Sequence, residues 1–167
     1  MVRTIERISH IVGVIAAWLI VPLVFAAVYE VIARYVFNAP TIWAYEIGYL
    51  MTGSGFLLGM AYALSRDAHI RIDVFSVNMT QRTKAIIDIV CYVGLLLPFL
   101  IWLTTVLWRR AMEAIVSGEK SGQSAWNPVL WPFRTVFLIA FALLILQVVA
   151  EVIKSVRRLN DAEAGAR

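Results

Sequence analysis

Ile11 to Tyr29 reads IVGVIAAWLIVPLVFAAVY, 19 residues without an Asp, Glu, Lys or Arg. A helix crosses the roughly 30 Å of bilayer hydrocarbon with about 20 mainly apolar residues, so this stretch is the length of a membrane span. It exceeds the 7 to 15 residues or so of a secretory h-region, and the flank Tyr29-Glu30-Val31-Ile32-Ala33-Arg34 lacks a small-residue cleavage pattern. It is therefore expected to remain as an anchor. Three further uncharged stretches follow, Ile47 to Leu64, Ile89 to Trp108 and Thr135 to Ala150, and little chain is left for a soluble domain.

The expected fold is all-α, an integral membrane protein with four transmembrane helices, a long third helix and both termini cytoplasmic. Residues 1–158 form a single four-helix membrane domain, with spans near 8–35, 42–65, 82–117 and 130–157, and residues 159–167 form a polar C-terminal tail. Composition agrees: 61% of residues are hydrophobic, 16% are charged and the mean hydropathy is +0.79, whereas soluble domains carry about 25% charge. Lipid or other subunits must complete such a core.

The net charge of +4 does not point to nucleic acid, because the basic residues sit at helix ends and form no stripe. They report topology instead. With the N-terminus inside, the cytoplasmic side holds Arg3, Arg7, Arg66, Arg71, Arg82, Lys84, Lys154, Arg157, Arg158 and Arg167, against Arg34, Arg109, Arg110, Lys120 and Arg134 outside. That excess favours cytoplasmic termini. Trp43, Trp108, Trp126 and Trp131 then fall at outer helix ends, where amphipathic rings favour the headgroup region.

Pro22 predicts a kink in the first helix, and Asn38-Ala39-Pro40-Thr41 ends it. The second helix starts close behind, so the two form a tight antiparallel hairpin. Residues 66–79 alternate polar and apolar through His69-Ile70-Arg71-Ile72-Asp73-Val74, which fits a short extended or interfacial stretch. Thr80 can cap the third helix and Gly118 can stop it. A helix between them is about 55 Å long at 1.5 Å per residue, more than the hydrocarbon requires. The outer segment from Gly118 to Trp131 is rich in Gly, Ser, Asn and Pro.

Few residues suit chemistry. His10 and His69 are the only histidines and both lie at the cytoplasmic boundary, so a bis-histidine haem would have to be interfacial. The lone Cys91 lies inside a span and excludes an intrachain disulfide. Asp88 stands near the inner headgroups and Gln147 in the apolar part of the fourth helix. No charge occupies the centre of a span, so a proton or sodium relay through this chain lacks stepping stones. No catalytic residue, metal site or cofactor is expected.

Glu30 and Arg34 are four residues apart in the favourable order for a helical ion pair. Glu46, early in the second helix, complements its N-terminal dipole, and the hairpin is expected to bring it near Arg34 in one cluster. Gly48, Thr52, Gly55, Gly59 and Ala63 share one face of the second helix, a surface for close packing inside the bundle or against another subunit.

Together, the run Arg34-Tyr35-Val36-Phe37-Asn38-Ala39-Pro40-Thr41-Ile42-Trp43-Ala44-Tyr45-Glu46, the segment His69-Ile70-Arg71-Ile72-Asp73, and Glu119 through Arg134 with its W-N-P and W-P-F-R pieces resemble the small membrane subunit of tripartite ATP-independent periplasmic (TRAP) transporters, the DctQ-like family. The resemblance covers nearly the whole chain. It implies a subunit of the bacterial cytoplasmic membrane that works beside a large multi-span membrane subunit and a periplasmic binding protein that delivers an organic acid. The large subunit would carry the substrate and sodium sites and move as an elevator, and the small one would belong to the immobile scaffold. On this reading Glu30, Arg34, Trp43 and Glu46 form the outer hairpin constellation, and His69, Arg71 and Asp73 order the inner loop. Arg109, Arg110, Glu113 and Glu119 are candidate contacts for the binding protein, with Lys120 beside them as ordinary surface. A second reading, from a different class, is an electron-transfer subunit holding haem or quinone among four helices. A third is a small exporter that works alone.

Overall fold

The computed structural model describes residues 2–66 and 80–164, and every named element among them is helical. These are α1 (Val2–Trp18), α2 (Ile20–Tyr35), α3 (Ala44–Ser65), α4 (Gln81–Val90), a π-helical turn (Cys91–Leu96), α5 (Leu97–Ser117) and α6 (Trp131–Ala164). They make four spans long and apolar enough to cross a membrane: Val2–Tyr35, Ala44–Ser65, Arg82–Ser117 and Trp131–Asn160. The third is the longest, at 36 residues. The alternating stretch after α3, with His69, Arg71 and Asp73, lies outside the described residues.

Pro22 and Pro98, the two prolines in span interiors, perturb the helix one turn before themselves. A proline ring clashes with the carbonyl four residues earlier and supplies no N–H to bond it. Pro22 therefore separates α1 from α2 at Leu19, whose N–H is shared between the carbonyls of Ile15 at 3.2 Å and Ala16 at 3.3 Å. The kink lies at Leu19, displaced from Pro22 itself. Pro98 acts on α5 in the same way. The preceding turn widens, and the Leu97 N–H reaches back five residues to the Tyr92 carbonyl.

The two expected caps of the third span form. The Thr80 hydroxyl accepts from the Thr83 N–H at 3.3 Å, and Gly118 takes a left-handed φ of 62° at the other end. The last helix differs from expectation, since α6 continues through the segment read as a tail to Ala164. Leu159 to Ala164 holds neither Gly nor Pro, and Leu, Ala and Glu are good helix formers, so nothing stops the helix before Gly165.

Helix α6 packs against α1, α3, α4 and α5, and α3 also packs on α1 and α2. Small side chains make these approaches possible. Ala26, Ala61, Ala85, Ala111, Ala114, Ala140 and Ala150 are buried, around a cluster of Leu64, Leu100, Leu144 and Val148. Lipid tails are as apolar as leucine, so helices associate in a bilayer through close van der Waals contact and polar bonds. The small-residue face of α3 lies towards the first span: a Cβ on Gly48 would stand 3.8 Å from Leu23, and one on Gly55 3.5 Å from the Ala16 carbonyl.

Among the described glycines the closest approach to another helix is at Gly13, where a Cβ would come within 2.6 Å of the Tyr62 ring. No motif in the sequence marks this residue. Gly13→Leu is expected to push α1 off α3 and cost about 2 kcal/mol or more by overpacking. Thermal unfolding in detergent measures it, and an unchanged midpoint would contradict the contact.

A polar ladder joins α1 to α6 near their terminal ends. The Ser9 hydroxyl donates to Gln147 Oε1 at 2.9 Å, and Gln147 Nε2 donates to Glu151 Oε1 at 2.9 Å. Lys154 Nζ lies 2.6 Å from Glu151 and 3.1 Å from Glu6. Ser9, Gln147 and Glu151 are buried, and each has a partner, as a buried polar group must if it is not to destabilise the fold.

Candidate functional site

The end of the bundle opposite the termini holds the hairpin between α2 and α3 and the loop between α5 and α6. In the hairpin, Asn38 adopts φ 49°, in the left-handed region that asparagine tolerates better than most residues. The Ala39 N–H then closes back on the Ala33 carbonyl at 2.9 Å. Glu30 ties the two helices. One carboxylate oxygen accepts from Arg34 Nε at 2.8 Å, and the other accepts the Thr41 N–H at 2.8 Å and also the Thr41 hydroxyl. This carboxylate thereby serves an ion pair within α2 and the first residues leading into α3.

Trp43 stands at the N-terminus of α3 and stacks on Tyr29, with ring centroids 5.6 Å apart at 27°. Tyr29 in turn stacks on Phe25. The three rings form an aromatic strip up α2 to the hairpin, where amphipathic rings suit a membrane boundary. Tyr35, Val36, Phe37, Ile42 and Tyr45 around it are exposed, so the rim is apolar.

Glu46 does not join Glu30 and Arg34. It is fully buried, and its Oε1 accepts from the hydroxyls of Ser121, at 2.8 Å, and Ser124 in the α5–α6 loop. Helical phase explains the correction. Tyr45, Gly48, Tyr49, Thr52 and Gly53 line a groove with Glu30, Arg34 and Thr41, and Glu46 is not part of that lining; its side chain turns to the α5–α6 loop instead. The expected cluster is thus two clips on different faces of α3. Oε2 of Glu46 is buried and lacks a hydrogen-bond partner among the described residues.

The loop that receives Glu46 is itself ordered by hydrogen bonds. Lys120 and Val129 form an antiparallel bridge, the Ser121 N–H bonds the Pro128 carbonyl at 2.9 Å, and the Leu130 N–H bonds the Glu119 carbonyl at 2.8 Å. Gly122 and Asn127 both have positive φ, and the Gly122 N–H bonds Asn127 Oδ1 at 2.9 Å. The Glu119 carboxylate pairs with Arg134 at the start of α6, and Arg134 also donates to the Arg110 carbonyl at 3.5 Å. Glu119 therefore pins the loop to α5 and α6, which gives it an internal task beside the docking task expected of it. Arg109 is exposed, and Arg110 and Glu113 form an exposed pair at 3.6 Å. Arg134→Ala should loosen this loop at a cost of about 1 kcal/mol. Limited proteolysis between Gly118 and Leu130 should then quicken while the helices stay resistant.

Thr41, Ser121 and Ser124 were not legible as site residues. Thr41 reads as an ordinary helix-start residue and the serines as solvent-facing loop; only the fold brings each to a carboxylate. His10 lies edge-on to Tyr62, with centroids 5.6 Å apart, while His69, Arg71 and Asp73 lie outside the described residues.

Comparison with known proteins gives one family. The model of "Tripartite ATP-independent periplasmic transporters, DctQ component" matches residues 23–158, most of the chain, beginning within the first span. Among curated proteins and solved structures, none matches.

Proposed function

The chain belongs to the DctQ component family of tripartite ATP-independent periplasmic transporters, and from that premise we propose that it is the static small subunit of a sodium-coupled importer of an organic acid. Its family is one of transporter components and not of enzymes. In this reading a large membrane subunit binds the solute and sodium and moves, a periplasmic binding protein delivers the solute, and this chain braces the mover in the bacterial cytoplasmic membrane. Residues 1–158 act as one membrane domain with both termini in the cytoplasm, the orientation favoured by the excess of Lys and Arg on that side. The apolar rim with Trp43, together with Arg109, Arg110 and Glu113, then faces outward, where a binding protein docks.

One observation carries the bracing role. In the most apolar part of the four spans only 11%, 17%, 6% and 33% of residues are buried, so the helices turn most of their apolar surface outward. Such a bundle suits lipid on some faces and a large subunit on others. Its internal polar groups fit the same reading: Glu30 is engaged by Arg34 and Thr41, and Glu151 by Gln147 and Lys154. Groups already committed to hydrogen bonds and ion pairs within the chain are poorly placed to bind and release a passing ion.

Co-expression of this chain with a large membrane subunit of the same transporter type tests the assignment. The two are expected to copurify at one-to-one ratio, and uptake is expected to fall when this chain is omitted. Full uptake by the large subunit alone would contradict a bracing role.

A further inference from the structure

Near the terminal end of the bundle, Arg7 and His10 of α1 and Ser65 and Arg66 at the end of α3 line a pocket of about 380 Å³. Glu6 also borders it, but its carboxylate is engaged by Lys154 at 3.1 Å. Neither Arg7 nor Arg66 pairs with a carboxylate among the described residues, so the pocket is cationic. Two of its lining residues lean on Tyr62: His10 packs edge-on against that ring, and the Arg66 guanidinium lies 5.3 Å from its centroid.

Tyr62 also lines the upper end of a second, apolar groove of about 750 Å³ between α3 and the first span. This groove runs past Gly13, Ala16, Gly55 and Gly59 towards Leu23 and Met51. It stays open because the kink at Leu19 and the missing side chains of α3 leave room; a Cβ on Gly59 would meet nothing within 4 Å. From Gly13 to Leu23 it extends about 15 Å along the helix, half of the roughly 30 Å hydrocarbon and thus the depth of one leaflet.

We propose that the pocket and groove together form a binding site for one anionic phospholipid, with its headgroup phosphate between Arg7 and Arg66 and an acyl chain along Gly13, Gly55 and Gly59. Charge complementarity selects the headgroup. Guanidinium groups bind phosphate in bidentate fashion, and basic pockets at helix ends concentrate acidic lipids. The adjoining groove, which lies in the leaflet, selects a lipid over free phosphate. A bound chain would fill the space beside the kink and hold α1 against α3, independently of any transport role.

The test is native mass spectrometry of the delipidated full chain, alone and as its complex with the large subunit. Phosphatidylglycerol, phosphatidylcholine with the same chains, and chainless glycerophosphate are added in parallel. Phosphatidylglycerol is expected to be retained over phosphatidylcholine, and Arg7→Gln with Arg66→Gln to weaken its retention about 10- to 30-fold. Gly59→Leu, which enters open space, should lower retention while leaving the thermal midpoint of the lipid-free chain unchanged. Equal retention of both lipids would overturn the proposal, as would glycerophosphate binding as well as the lipid, or no response to the arginine changes. Loss of retention in the complex alone would also overturn it, because a helix of the large subunit would then be the occupant.

Discussion

Glu46→Lys is expected to destabilise the chain by about 3 to 5 kcal/mol, the cost of leaving a charge buried without its partners. Glu46 has no exposed surface, and its Oε1 is the acceptor for two serine hydroxyls of the α5–α6 loop. An ammonium at this position can accept from neither hydroxyl and puts the opposite charge into a fully buried site. The loop should detach from α3, so the yield of the complex should fall together with the melting temperature in detergent. Glu46→Gln should cost only about 1 kcal/mol, because its amide oxygen still accepts from Ser121 or Ser124. The pair with Arg34 has little part in this. Arg34 is 54% exposed and bound to Glu30, and exposed pairs contribute about 0 to 1 kcal/mol. Arg34→Ala should therefore fail to rescue Glu46→Lys; rescue would mean that the two side chains meet.

Glu151→Leu is expected to have the second-largest effect, at about 3 kcal/mol, because it removes one member of a buried ion pair and leaves the other. Lys154 would keep only Glu6, and Gln147 Nε2 would lose its acceptor in the contact between α6 and α1. Glu151→Gln should be milder, since it retains an acceptor for Gln147 and gives up only the charge. Gln147→Leu should cost about 0.6 kcal/mol and no more than about 1.7, the mean and the maximum found for interhelical hydrogen bonds in a membrane protein. Hydrogen exchange at α1 amides reads the effect locally. If α1 protection in Glu151→Leu equals that of the parent chain, the ladder does not hold α1 to α6.

The four spans were legible because hydropathy over about 20 residues depends on composition alone. Thr80 and Gly118 were legible because caps act over four residues. Features that depend on helical phase against a distant segment were not. Whether Glu46 turns to α2 or to a loop 75 residues away is set by how α3 is rotated against α6, and Gly48 and Gly53 settle that rotation only when their neighbours are known. Pro22 announced a kink, but its position at Leu19 follows from the carbonyl that the ring displaces. Gly13 makes a close approach to α3 without any repeat to mark it, since the side chain it accommodates belongs to Tyr62 on another span. Nothing in the sequence marks Glu151, which follows directly on the uncharged stretch ending at Ala150; it is internal because it bonds Gln147 and Lys154, which in turn hold Ser9 and Glu6 of α1.

The bracing role is tested most directly by reconstituting this chain in sodium-gradient vesicles, alone and together with the large subunit, and measuring uptake of the solute presented by the binding protein. The account predicts uptake only when the large subunit is present, and vesicles holding this chain alone should match empty ones. Sodium-driven uptake by the chain alone would contradict it.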